Sequence, residues 1–114
     1  MAMVKQKITT PAQNDVYIVN LDPTVGHEIK KSRPCLIVSP DDMNTLKTVI
    51  IAPMTTVIRN FPFRVNIQFG GKNGQVALDQ IRCVDKVRLS KKLGVMDTVF
   101  TNEISKTLID IFSI

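Results

Sequence analysis

Phe63-Arg64-Val65-Asn66-Ile67-Gln68-Phe69 runs directly into Gly70-Gly71-Lys72-Asn73-Gly74. In the first stretch, apolar side chains alternate with Arg64, Asn66 and Gln68, a period of two that gives a strand one dry face and one wet face. The glycine-rich stretch is a turn by composition. It makes a hairpin with the strand expected at residues 75–79.

The same reading extends in both directions. Upstream, Val16-Tyr17-Ile18-Val19 is β-branched and aromatic, which suits a strand over 15–21, and Asp22-Pro23 ends it by removing a ladder donor. A polar loop over 22–33 follows, long enough in a small domain to suggest a functional loop. Arg33-Pro34 opens a second strand through Ser39, Pro40 stops it, and Asp41-Asp42-Met43-Asn44 reads as a helical turn. Thr48-Val49-Ile50-Ile51-Ala52 is the third strand and the most apolar. Downstream, residues 81–87 continue as a strand. Ile104, Leu108, Ile111 and Phe112 then form one stripe of a helix that Asp97 or Thr101 would cap, closing either the barrel or a dimer. Short strands punctuated by proline and glycine, then one amphipathic helix, predict a mainly-β or α+β domain built as a small antiparallel barrel. Residues 1–14 show no period and are expected to be flexible, leaving 15–114 as one domain.

A chain of 114 residues with 44% hydrophobic content supports one core. Several strands are almost wholly apolar, so a second copy is expected to cover part of the surface. The net charge of +5 and pI near 9.5 favour a polyanion or an acidic protein partner. Between residues 59 and 92, Arg59, Arg64, Lys72, Arg82, Lys86, Arg88, Lys91 and Lys92 face only Asp79 and Asp85, a balance of 8 − 2 = +6. That concentration favours a phosphate-facing surface. Cys35 and Cys83 are lone thiols, and neither a secretory signal nor an apolar run of membrane-spanning length is present, so a cytoplasmic location is expected. One histidine without a close cysteine pair is a poor zinc set, which implies chemistry without metal or cofactor.

Arg33 is expected at the rim where a strand begins. It either grips a phosphate bidentately or pairs with Glu28 or Asp79. Thr55 and Thr56 follow Pro53 at a strand end, where hydroxyls either cap a turn or point into a cleft. His27, beside Gly26 and Glu28 in the long loop, is either a surface residue or an acid–base group, histidine being the side chain whose ordinary pKa of about 6.5 lies nearest neutrality. Asp79 either acts as a base or orients its loop or Arg82. Phe61-Pro62-Phe63 follows Arg59, and rings close to a guanidinium suit unstacked bases. Phe63 reads as a corner of the core and Phe61 as the exposed ring.

Taken in order, Asp15-Val16-Tyr17-Ile18-Val19, Leu21-Asp22-Pro23-Thr24, Gly26-His27-Glu28, Arg33-Pro34 through Ser39-Pro40, Pro53-Met54-Thr55-Thr56, Phe61-Pro62-Phe63 and Gly74 through Asp79-Gln80 with Arg82 resemble the MazF/PemK/Kid family. The resemblance covers residues 14–114. It implies a homodimeric SH3-like barrel of the CcdB/PemK-like toxin fold that cuts single-stranded RNA without a metal. It also implies an antitoxin whose acidic tail fills the RNA groove. By the same resemblance the catalytic pair is Arg33 and Thr55, with His27 and Asp79 implicated in catalysis or RNA contact. The PemK branch has an arginine where this chain has Ala77, and some MazF members have a histidine where it has Ser32.

Such a site would align a 2′-hydroxyl with the phosphorus, Arg33 stabilising the crowded phosphate, Thr55 donating a hydrogen bond and His27 moving a proton. Sequence choice would come from the 22–33 and 57–62 loops. The RNA-contact set expected beside the catalytic residues is Glu28, Lys30, Lys31, Thr56, Arg59, Phe61 and Asp79. The alternatives are a gyrase-poisoning toxin of CcdB type, disfavoured because that type depends on a C-terminal tryptophan and this chain has no tryptophan, and a non-catalytic nucleic-acid-binding barrel.

Overall fold

The computed structural model describes residues 10–113. Seven strands and one helix run in the order β1 (Asp15–Asn20), β2 (Ser32–Ile37), β3 (Thr48–Thr55), β4 (Arg64–Phe69), β5 (Lys72–Ala77), β6 (Arg82–Asp85), β7 (Leu89–Val95) and α1 (Thr98–Phe112). Single 3-10 turns occupy Met43–Thr45, Leu78–Gln80 and Lys86–Arg88. Every strand pair is antiparallel, in the order β4-β5-β3-β2-β1-β7, with β6 on β3.

The sheet curls until its two edges approach: a Cβ placed on Gly94 of β7 would lie 3.3 Å from the Phe69 ring of β4. The expected small antiparallel barrel therefore forms as a curled half-barrel, with the C-terminal helix α1 packed on β4. Alternation in β4 buries Val65 and Ile67 and exposes Asn66 and Gln68, as its period requires. One core cluster unites Val16, Leu36, Met54, Val65, Val76 and Ile104, and a second unites Tyr17, Val19, Cys35, Ile37, Ile51 and Val84 on the other face of β1, β2 and β3. Residues buried on both faces explain why β3 reads as an uninterrupted apolar run.

Several boundaries differ from the sequence reading. The hairpin turn is only Gly70-Gly71, both at positive φ (58° and 75°), which is the two-residue geometry that matches strand twist. The strand expected at 75–79 therefore starts at Lys72 and stops at Ala77. β3 runs past Ala52 to Thr55, because its side away from β2 changes partner from β6, paired up to Ile51, to β5, paired from Met54. Pro53 falls at that changeover, where a missing backbone donor is tolerated. The strand expected over 81–87 ends at Asp85, whose carboxylate accepts from the Val87 N–H and turns the chain. Asp97, not Thr101, caps α1 by accepting from the Val99 N–H at 2.9 Å. Only the first part of the helical stripe closes the core: Ile104 is buried and Leu108 half-buried, but Phe112, in the last turn, is 67% exposed. Of the segment expected to be flexible, residues 1–9 lie outside the described residues. Ala12 donates to the Asp15 carboxylate and Asn14 to the Ile37 carbonyl. No helix among the described residues is long and apolar enough to cross a membrane.

Candidate active site

Arg33 is the second residue of β2, opposite Val19 of β1, and its half-buried side chain leaves the sheet where the long loop rejoins it. Its Nε donates to the Lys30 carbonyl at 3.2 Å and one terminal nitrogen makes a long 3.5 Å contact to the Met54 carbonyl. Both partners are neutral. The expected alternatives for an ion pair are taken elsewhere: Glu28 accepts from the Val25 N–H at 2.6 Å, and Asp79 is held by Arg64. A guanidinium has five N–H donors, so most of Arg33 remains available to an external acceptor.

Thr55 is the last residue of β3. Its hydroxyl oxygen accepts from the Val57 N–H at 3.1 Å, which is the turn-capping contact expected of such a residue. That bond uses a lone pair and fixes the oxygen, leaving the hydroxyl proton free to donate. Capping and cleft-facing, posed as alternatives, are both realised by one side chain. Arg33, Thr55, Thr56 and Lys72 line a cleft of about 550 Å³ whose floor includes Met54 and Phe69. Gly74 lets β5 pass under this cleft: a Cβ there would meet the Thr55 carbonyl oxygen at 2.7 Å, closer than real Cβ atoms approach.

His27 is not in this cleft. It is exposed in the 22–31 loop and lines a second cavity of about 390 Å³ with Glu28, Pro53, Asp79, Gln80 and Arg82. The two cavities flank the end of β3, since Pro53 faces one and Met54 to Thr56 the other. Lys30 and Lys31 lie in the loop leading into β2. Lys30 supplies the carbonyl under Arg33, and Lys31 adopts positive φ (72°), its N–H donating to Asp22 and its carbonyl accepting from Leu21. Arg59 and Phe61 are exposed on the loop between β3 and β4.

The basic stretch expected to face phosphate is largely turned inward. Arg64 pairs with Asp79, Arg82 donates to the Leu21 carbonyl, Lys86 to Asn44, Arg88 to Asn20 and Asp22, and Lys92 pairs with Asp15. The Arg82 and Arg88 contacts tie the start of the long loop to β6 and the turn after it. Arg59, Lys72 and Lys91 make no such side-chain bond among the described residues, and Lys72 lies in the Arg33 cleft. Sequence reasoning missed two organising residues. Gln80 pins the long loop by accepting from the Ile29 N–H at 2.7 Å and donating to the His27 carbonyl. Arg64, opposite Ala77 on the next strand, donates to both carboxylate oxygens of Asp79, at 2.6 and 3.0 Å. The first had a signal in its place beside Asp79; the second needed the β4–β5 register.

Neither lone thiol belongs to the cleft. Cys35 is fully buried and burial pushes its thiol up to about 12, the behaviour of a small hydrophobe. No group of three or more His, Cys, Asp or Glu arranged to hold a metal occurs among the described residues.

The fold and cleft define a curled antiparallel half-barrel with an arginine and a threonine at one strand-end rim. The chain belongs to the family of PemK-like, MazF-like toxins of type II toxin-antitoxin systems, which it matches over residues 12–112. The endoribonuclease PemK of Escherichia coli is 33% identical over 99 residues, covering 81% of this chain and 74% of that protein. The crystal structure of MazF from Deinococcus radiodurans superposes with a TM-score of 0.82 at 25% identity, covering 93% of this chain and 99% of that one. A mycobacterial endoribonuclease in complex with its cognate antitoxin superposes with a TM-score of 0.75 at 26% identity, covering 88% and 92%.

Proposed function

We propose that this chain is a metal-independent endoribonuclease toxin of the cytoplasm that cuts single-stranded RNA at short sequences, acts as a homodimer, and is neutralised by a cognate antitoxin with an acidic tail. The observation that carries the reading is the single cleft lined by both Arg33, which bonds no carboxylate, and Thr55, whose hydroxyl oxygen is held by the Val57 N–H. Family membership and the endoribonuclease names of its relatives support the substrate class.

The reaction needs no group beyond the side chains. The 2′-oxygen of one nucleotide attacks the adjacent phosphorus as its proton leaves to a base. The bond from phosphorus to the 5′-oxygen breaks, and that oxygen takes a proton. The products are a 2′,3′-cyclic phosphate and a 5′-hydroxyl. Arg33 donates two N–H groups to the non-bridging oxygens as negative charge accumulates there, and Thr55 donates a third bond. Lys72 adds long-range attraction for the strand. His27, across the end of β3, serves proton transfer for a strand lying over both cavities. Glu28, Lys30, Lys31, Thr56 and Arg59 frame that path.

Incubating the protein with long single-stranded RNA in excess chelator, then mapping the ends, tests the reading. Recurrent cuts at one short sequence with cyclic-phosphate and 5′-hydroxyl ends are expected. Intact RNA, or cuts that leave 5′-phosphates, overturns it.

A further inference from the structure

We infer that Gln80 is a positioning residue of the cleavage reaction, its side-chain amide setting where the His27 imidazole stands relative to the Arg33 cleft; the inference rests on the nuclease reading above. His27 belongs to a self-contained turn. The Glu28 N–H donates to the Val25 carbonyl at 3.2 Å and the Glu28 carboxylate accepts from the Val25 N–H, with Gly26 at positive φ (59°) between them. The neck of the loop is closed separately: Asp22 accepts from the Lys31 N–H and the Lys31 carbonyl from the Leu21 N–H, each at 3.1 Å.

Beyond that neck, residues 23–29 make no hydrogen bond to the barrel among the described residues except through Gln80. Its two bonds bracket His27: Nε2 donates to the His27 carbonyl at 3.3 Å, and Oε1 accepts from the Ile29 N–H at 2.7 Å. One partner is an acceptor and the other a donor, so the amide fits in one orientation only. The imidazole itself makes no hydrogen bond among the described residues, which leaves its placement to the backbone that Gln80 holds.

Gln80 is fixed on its own side. It closes the 3-10 turn Leu78–Gln80, in which Leu78 is buried and donates its N–H to the Phe63 carbonyl at 3.2 Å. That turn continues β5, whose Gln75 stands opposite Thr55. One ordered stretch thus braces Thr55 at the first cavity and, through Gln80, His27 at the second. An acid–base group acts only within reach of the proton it moves, and a misplacement of about 1 Å can cost about a hundredfold in rate.

A double-mutant cycle on RNA cleavage tests this, using Gln80→Met, which keeps the length of the side chain and loses both bonds. His27→Ala should lower kcat about a hundredfold. Gln80→Met should lower it about tenfold with KM within about twofold of native. The double variant should match His27→Ala within about twofold, because the placement of an absent group costs nothing. Backbone order parameters at His27, read by NMR relaxation, should fall from about 0.85 to below about 0.6 in Gln80→Met. A native kcat in Gln80→Met, the same loss in both backgrounds, a loss confined to KM, or an unchanged order parameter overturns the inference and leaves the nuclease standing. A native kcat in His27→Ala also overturns it, since no group is then being positioned. Failure of the native protein to cut RNA overturns the nuclease reading itself.

Discussion

The two cavities at the end of β3 each hold an arginine and differ in what their polar groups touch. Around His27, Asp79 is gripped by Arg64, Arg82 donates to Leu21, and Gln80 pins the loop on both sides. Around Arg33, the guanidinium donates to neutral carbonyls, Thr55 keeps its hydroxyl proton, and Lys72 bonds nothing among the described residues. The first cavity is held together by its polar groups. The second presents them. Density of charge in a sequence therefore does not locate an anion site; a cleft that gathers cations with no carboxylate in its lining does.

The sharpest way to break this comparison is to remove one arginine from each side. Arg33→Ala should lower RNA cleavage by at least about a hundredfold, as loss of an electrostatic stabiliser does. Its unfolding free energy should stay within about 0.5 kcal/mol of native, because only two long contacts to backbone carbonyls, at 3.2 and 3.5 Å, are lost. Chemical denaturation beside a cleavage assay reads both. Thr55→Val should cost about ten- to a hundredfold in kcat through one lost bond to a charged oxygen, while Thr55→Ser keeps the donor and most of the rate. Arg88→Ala should show the opposite pattern. It frees the Asn20 and Asp22 carbonyls, lowers stability by about 1 kcal/mol, and leaves the cleavage rate near native where the fold is intact.

The smallest effect concerns Cys35, two residues beyond Arg33 and facing the dry side. Burial raises its thiol to about 12 from 9.0, so the native state holds that proton more tightly than the unfolded chain. The stabilisation is complete below about pH 9 and is lost as pH rises toward 12. Melting temperature should therefore fall across that interval, with Tyr17, also raised by burial, acting in the same direction. Cys35→Ala should fall less steeply, and equal slopes would remove the thiol from the account.

How much of this was legible in the sequence follows from the range of each interaction. The alternation over 63–69 and the stripe beginning at Ile104 announced β4 and α1, because burial on one face leaves a local period. β7 left no such trace: Leu89-Ser90-Lys91-Lys92-Leu93-Gly94-Val95 is an edge strand paired only to β1, where lysines are tolerated and alternation is weak. Arg33 and Thr55 were legible as residues at strand ends. Their sharing one cleft was expected only through the family resemblance, since it depends on the β2–β3 register. The inward use of Arg82 and Arg88 was also hidden, because their acceptors lie 61 and 66–68 residues away and are backbone carbonyls with no sequence signature. The surface expected from a run of positive charge thus became a set of struts.

The central claim is that Arg33 reserves its donors for phosphate while Arg88 uses its own inside the fold. Salt dependence of binding to an uncleavable single-stranded RNA measures this directly, because each phosphate contact on a single strand contributes about 0.7 to the slope of log K against log salt. Arg33→Ala should reduce the slope by about that amount and Arg88→Ala should leave it unchanged. An unchanged slope in Arg33→Ala, or an equal reduction in both variants, would contradict the claim.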